Sequence, residues 1–216
     1  MFDALEKARD SWGVFPQSVV DVGAANGKWS LRCAKIWPDA EYILIEPLEE
    51  NLAPLAAIID KRTSWKHVCA AAGKCAGEIE FSVTPDLDGS GFYEDRADFA
   101  KRKVQVIALD DIPTKSGDCL LKLDTHGYEV PIFEGAKNLL KRTSLLVVEV
   151  YGQKLTPQSL LFYEICQYLR ERGFRLADLV DIMRRPSDGS FWQADMFFLR
   201  AEHPIFANNR YSPETK

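Results

Sequence analysis

The chain has 216 residues, with 27 basic against 32 acidic side chains and a formal net charge of −5. That length fits one domain or at most two, and 46% hydrophobic with 27% charged residues excludes the polar excess of a disordered chain. An acidic chain without long lysine or arginine runs offers no broad field for a phosphate backbone, so nucleic acid is not an expected partner.

Five cysteines are an odd number and form no C-x-x-C pair, which points to free thiols in a reducing compartment. Met1 to Glu6 carries acids where a signal peptide needs a basic region, and no run approaches the ~20 apolar residues of a membrane span. The expectation is a cytoplasmic protein without membrane contact, folded as a single domain over 1–216.

Leu5, Ala8, Arg9 and Trp12 follow helical spacing, so residues 1–17 read as a capping helix stopped at Gly13 and Pro16. Ser18 to Gly23 is a short apolar strand ending in glycine, and the apolar spacing from Gly27 to Trp37 resumes a helix that Pro38 stops. The same beat repeats with a strand over 41–46, a helix over 48–60 and a strand over 64–70, which predicts a parallel sheet covered by helices. Two period-two strands, 77–83 and 103–109, flank a polar, glycine-bearing excursion. This insertion, 84–102, is expected to shape a substrate pocket.

The parallel pattern returns with a strand over 119–124, a helix over 129–142, a strand over 144–150 and a helix over 157–172. Residues 174–181 and 191–200 then read as an antiparallel hairpin around Arg185 to Ser190. The tail 204–216 is expected to be loosely held. The predicted fold is α/β: a seven-stranded, mostly parallel sheet with helices on both faces and an antiparallel C-terminal edge hairpin.

Sheets of this kind bind ligands at the carboxyl ends of their strands, where strand order reverses. Those ends carry Asp21 to Gly23, Glu46, Ala70 and Ala71, Asp124 to His126, and Glu149. The first turn, Asp21-Val22-Gly23-Ala24-Ala25-Asn26-Gly27, has Ala25 where a dinucleotide fingerprint needs its second glycine. Asp21 would repel two phosphates but suits an ammonium group. Glu46, 19 residues after Gly27, suits a carboxylate that accepts both ribose hydroxyls. A nucleoside without a diphosphate is implied, and S-adenosylmethionine meets these demands; a tight βα connection with no ligand is the plain alternative.

With these residues in hand, the sequence from Ser18 to Arg200 resembles the FkbM-type branch of the class I, S-adenosylmethionine-dependent methyltransferases, whose fold is Rossmann-like. The glycine turn and Ile45-Glu46-Pro47 are shared with many class I enzymes. Leu109 to Ile112, then Leu121-Lys122-Leu123-Asp124-Thr125-His126-Gly127-Tyr128-Glu129-Val130, then Glu134-Gly135-Ala136, resemble the branch's own signature. The resemblance implies methyl transfer to oxygen, commonly on sugars or secondary metabolites. It also implies that Asp21, Gly23, Ala24, Asn26 and Gly27 line the methionine end of the cofactor, Glu46 the ribose, Ala70 and Ala71 the adenine, and that Asp124 lies near the methyl. His126 departs from the acid or amide expected at its position.

A sugar hydroxyl does not ionise at neutral pH, so a base near the fourth parallel strand would help. His126 is the candidate, because histidine accepts protons near neutrality; the plain reading is a loop cap. Glu129 is a second base or a carboxylate placed by the helix dipole. Asp110, Asp124, His126 and Glu149 form a set compatible with Mg²⁺ if they converge, although no spacing demands a metal. Phe92, Tyr93, Tyr151 and Trp192 are candidates to stack on a sugar ring. His67 and His203 read as structural. The expected function is O-methylation of a small molecule or glycan. N-methylation of an amine stands against it, although the Asn/Asp-Pro-Pro-Tyr motif is missing, as does a nucleoside-binding scaffold without turnover.

Overall fold

The structure is a computed structural model that describes residues 1–93 and 99–211. Residues 94–98 of the expected excursion and 212–216 of the tail lie outside the described residues. In chain order the elements are α1 (Phe2–Asp10), β1 (Ser18–Val22), α2 (Lys28–Cys33), β2 (Glu41–Ile45), α3 (Leu52–Ile59), β3 (Trp65–Val68), β4 (Ala71–Gly73), β5 (Gly77–Val83) and β6 (Ala100–Ala108). They continue with β7 (Cys119–Leu123), α4 (Glu129–Glu134), α5 (Lys137–Lys141), β8 (Thr143–Tyr151), α6 (Phe162–Arg170), β9 (Phe174–Arg184) and β10 (Phe191–Arg200).

The main sheet has seven strands in the order β3-β2-β1-β7-β8-β10-β9. The first five pair in parallel, and β10 runs antiparallel to both β8 and β9. Strand order therefore reverses between β1 and β7, which opens a crevice above their carboxyl ends. Every residue of β1, β2 and β7 is buried, as expected for strands covered on both faces.

Alternation sorts the core into two layers. Val20, Val22, Ile43, Leu121 and Leu146 pack under α4, α5 and α6, with Ile132, Phe133, Leu139 and Ile165. Val19, Tyr42, Leu44, Leu120 and Val147 pack under α1, α2 and α3, with Leu5, Cys33 and Leu55.

The period-two strands 77–83 and 103–109 do not join this sheet. They form β5 and β6 of a second, three-stranded sheet of order β4-β6-β5. The predicted strand 64–70 accordingly ends at Val68, and the chain crosses at Cys69 and Ala70 to start β4 in the second sheet.

The predicted helices are shorter than their spacing suggests: the one read over 27–37 is α2, Lys28–Cys33, and the one over 48–60 is α3, Leu52–Ile59. The helix expected over 129–142 is two, because Gly135 packs against the second sheet: a Cβ there would lie 2.0 Å from the Gly73 carbonyl oxygen. The Asp110 carboxylate then starts α5 by accepting the backbone N–H groups of Asn138 and Leu139. The helix expected from 157 starts only after Leu161, whose N–H donates to Glu164. The hairpin is longer than expected, since β9 continues to Arg184.

Candidate active site

A cavity of about 690 Å³ opens at the crevice between β1 and β7, within the range of small-molecule sites. Gly23, Glu46, Ala70, Ala71, Asp124 and His126 line it, as do Asp86 to Ser90 of the excursion and Gln193 of the hairpin. Its described lining includes five carboxylates, from Glu46, Asp86, Asp88, Asp124 and Glu149, and neither lysine nor arginine.

One wall is the first turn. Gly23 takes φ +75°, and a Cβ there would lie 2.0 Å from the Asp124 carbonyl oxygen, so β1 and the end of β7 approach as only glycine allows. Ala25 is also left-handed, at φ +45°. Its N–H donates to Glu46 Oε2 at 2.9 Å, while Leu48 N–H donates to Oε1 at 2.9 Å. These bonds fix the carboxylate at the tip of β2, and burial pushes its pKa up. The Asn51 side chain is a third partner, and with about four lone-pair sites the carboxylate still has room to accept a hydroxyl.

Four residues predicted to touch the cofactor lie outside the cavity lining. Asp21 faces the layer under α2, where it is fully buried. Its register partner is Lys122, whose ammonium lies 3.1 Å from Oδ1, and Ser30 donates to Oδ2 at 2.7 Å. Burial pushes the Asp21 carboxyl up, with Lys122 acting against that shift. Ala24 is part of the same core layer. Gly27 caps α2 at φ +75°, and a Cβ there would meet Ile58 at 2.9 Å and Leu55 at 3.1 Å, so it serves the contact with α3. Asn26 accepts from the Lys28 N–H.

The opposite wall is acidic. Lys122 reaches Asp124 Oδ2 at 3.2 Å as well as Asp21. Desolvation opposes ionisation of Asp124, but the Lys122 ammonium prevails and holds its carboxyl below the ordinary range. Glu149, at the end of β8, accepts hydrogen bonds from the Tyr151 hydroxyl and the Gln193 amide. Burial and the Asp124 charge push its carboxyl up, to about 9, and the same two causes push Asp195, opposite it on β10, up to about 7. His126 adopts φ +53°, a backbone conformation that is costly for a residue with a side chain. Its Nδ1 pairs with the Ser90 carbonyl at 3.0 Å, and its Nε2 lies 3.7 Å from Asp124 Oδ1 and 3.6 Å from Glu149 Oε2.

Glu129 is absent from the cavity lining. It is buried, and its Oε1 accepts from the Thr125 hydroxyl at 3.2 Å and the Gly127 N–H at 2.9 Å. Its carboxylate staples the turn that carries His126. Asp110, engaged at the start of α5, does not converge with Asp124, His126 and Glu149, which the structure does bring together.

Phe92 lines the cavity and packs against Phe81 and Tyr128, whereas Trp192 meets the edge of Tyr151. His67 pairs with the Glu46 carbonyl and His203 with the Trp12 carbonyl, both structural. Sequence reasoning missed Lys122, Gln193 and the hydroxyl role of Tyr151. A lysine inside the apolar run Leu120-Leu121-Lys122-Leu123 was the available signal, because a buried cation needs a partner.

Comparison with known proteins decides the family. The sequence profile of the methyltransferase FkbM domain matches residues 21–176, most of the chain. The chain belongs to the FkbM family of S-adenosylmethionine-dependent methyltransferases. Among solved structures, it is similar to an FkbM methyltransferase from Methylobacillus flagellatus, with a TM-score of 0.59 and 16% identity over 90% of this chain and 47% of that one. The chain thus spans about half the length of that relative. It is also similar to magnesium protoporphyrin IX methyltransferase from Synechocystis with bound S-adenosylmethionine, with a TM-score of 0.51 and 11% identity over 92% of this chain and 77% of that one. A third likeness is to 1,6-didemethyltoxoflavin N1-methyltransferase from Burkholderia thailandensis, with a TM-score of 0.50 and 14% identity over 93% of this chain and 78% of that one.

No curated protein sequence matches the chain. At these identities the structural likenesses establish the fold that this FkbM-family chain shares, and any acceptor has to be argued from its own residues. Among the described residues no helix is long and apolar enough to cross a membrane.

Proposed function

We propose that the cavity binds S-adenosylmethionine and that the chain transfers its methyl group to a hydroxyl oxygen of a small acceptor, a sugar, glycan or secondary metabolite. The observation that carries this reading is the lining: five carboxylates, with neither lysine nor arginine among the described residues, set against a glycine turn. Such a site favours a cationic nucleoside and disfavours a diphosphate. Bound there, S-adenosylmethionine supplies an electrophilic methyl group on a positively charged sulfur.

The chain's own residues divide the remaining work. Glu46, preset by Ala25 and Leu48, holds a ribose hydroxyl; Ala70 and Ala71 face the adenine; and the Gly23 backbone leaves room for the methionine end. Asp124 stands beside the sulfonium, where its charge favours the cation. The acceptor hydroxyl approaches from the side of Asp86 to Ser90, against His126 and Glu149. His126 Nε2 then takes up the hydroxyl proton, held in place by the Ser90 carbonyl on its other nitrogen. The same acidic wall also attracts a protonated amine, which supports N-methylation as a second reading.

Calorimetry with S-adenosylmethionine tests the binding half. Wild type binds, and Glu46→Ala weakens binding at least tenfold, about 1.4 kcal/mol. Unchanged affinity in that variant would remove the ligand placement. A radiolabelled methyl screen against sugars, glycans and amines then separates the acceptor classes: label on oxygen supports the first reading, label on nitrogen the second. Donor binding with no transfer to any acceptor would identify a scaffold.

A further inference from the structure

Asp124, His126 and Glu149 offer one ligand atom each, and these three atoms lie within 4.8 Å of one another. At 3.6 and 3.7 Å from the two carboxylate oxygens, Nε2 is too far to hydrogen-bond either. Those distances resemble the spacing of ligands around a shared ion. Two ligands about 2.1 Å from a tetrahedral cation stand about 3.4 Å apart.

A second, independent feature is how each side chain is held from behind. Lys122 takes the outer oxygen of Asp124, Oδ2, and leaves Oδ1 turned inward. The Ser90 carbonyl takes Nδ1 of His126 and leaves Nε2 turned inward. Gln193 of the hairpin holds Oε1 of Glu149, while the Tyr151 hydroxyl donates to Oε2, the oxygen nearer His126, which keeps a second lone pair. Backing of this kind, with an imidazole donating to a backbone carbonyl and carboxylates fixed by outer partners, orients the ligands of metal sites. The chain also accepts a left-handed backbone at His126 to bring the ring there.

From this geometry we infer that Asp124, His126 and Glu149 form a binding site for a first-row divalent metal ion, open toward the cavity. One imidazole and two carboxylates suit Mn²⁺, Fe²⁺ or Zn²⁺, where an all-oxygen set would suit Mg²⁺. The inference rests on the reading of this cavity as the methyl-transfer site and deepens it. The ion binds the acceptor's hydroxyl oxygen, lowers its pKa so that the proton passes to solvent, and selects acceptors that present a second oxygen to chelate it. In that case His126 acts as a ligand and does not itself take the proton.

Mn²⁺ is the probe, because Cys69 and Cys75 are exposed thiols that would draw Zn²⁺ elsewhere. Chelator-treated, refolding-free wild-type protein is titrated with Mn²⁺ and followed by electron paramagnetic resonance, which needs no acceptor. The expected result is one bound Mn²⁺ per chain, weakened at least tenfold in both His126→Ala and Glu149→Gln, with thermal midpoints confirming that the variants fold. His126→Asp, which makes the set all oxygen, is expected to lower the preference for Mn²⁺ over Mg²⁺.

Failure of the folded wild type to bind Mn²⁺ would overturn the inference, as would equal binding by His126→Ala or an unchanged metal preference in His126→Asp. Donor calorimetry on the same sample distinguishes the two readings. Donor binding without Mn²⁺ binding leaves methyl transfer standing with His126 as the base, whereas loss of donor binding in the wild type removes the methyl-transfer reading itself.

Discussion

The two walls of the cavity are built by different means. The turn wall is mostly backbone: Gly23 lets β1 meet the Asp124 carbonyl, and the Glu46 carboxylate is fixed by two main-chain N–H groups. The acidic wall is mostly side chain, assembled from β7, β8, β10 and the excursion through Lys122, Tyr151, Gln193 and the Ser90 carbonyl. The first wall depends on close approach and tolerates little change in shape. The second depends on charge balance and should respond to single charge changes. Lys122 joins them, since it is the cation within reach of both Asp21 and Asp124.

Removing that joint is expected to have the largest effect. Lys122→Met leaves two carboxylates without their cation, one of them fully buried, and should cost about 3–5 kcal/mol in denaturant unfolding. Asp21→Asn added to Lys122→Met should recover a large part of that loss; a double variant no more stable than the single would show that the pair is not the cause.

Gly23→Ala attacks the turn wall instead. It forces a side chain into the left-handed region and onto a backbone carbonyl, for an expected loss of about 2–4 kcal/mol, and donor affinity should fall with it. A variant with native thermal midpoint and affinity would mean that the approach of β1 to Asp124 is not required.

Asp21→Asn alone sharpens the contrast between the carboxylate buried behind the turn and those that line the cavity. Loss of a charge-assisted pair should cost about 1.5–3 kcal/mol of stability, while donor affinity, measured by calorimetry, stays within about twofold because Asp21 does not line the cavity. A tenfold loss of affinity at unchanged stability would return Asp21 to the direct contact that its place in the turn suggests.

The turn wall was legible because its determinants are local. The strand ending in Gly23, the acid at Glu46 and the small residues Ala70 and Ala71 can be read by counting along the chain, and all four line the cavity. Locality also misled: Asp21 and Gly27 sit in the same motif, yet alternation turns Asp21 into the layer under α2, and Gly27 is a glycine for the sake of Leu55 and Ile58. The acidic wall was legible only in part. Asp124 and His126 follow a strand in an obvious way, but Ser90, which holds the His126 ring, lies 36 residues away along the chain, and Gln193, which holds Glu149, lies 44 residues from that carboxylate. Pairing β10 with β8 is what brings Gln193 opposite Tyr151, and no local pattern states that register. The second sheet escaped for the same reason, because β5 and β6 look like any period-two strands until β4 leaves the main sheet.

Glu129 offers the smallest expected effect and separates positioning from proton transfer. Its buried carboxylate accepts two hydrogen bonds from the turn around His126, and burial raises its pKa above the ordinary carboxylate value. A carboxyl raised in the fold binds its proton more tightly there than in the unfolded chain, so its contribution is fully present below the unfolded pKa. That contribution is lost as pH rises through the folded value. Glu129→Gln lacks this loss. The variant should therefore be less stable than wild type by about 1 kcal/mol near pH 4, through imperfect bonding to the turn, and the gap should narrow or reverse toward pH 8 in matched denaturant titrations. Turnover should fall with the position of His126 while the pH profile of the reaction keeps its shape. A profile that loses a limb in Glu129→Gln would assign Glu129 a proton-transfer role in addition to the staple.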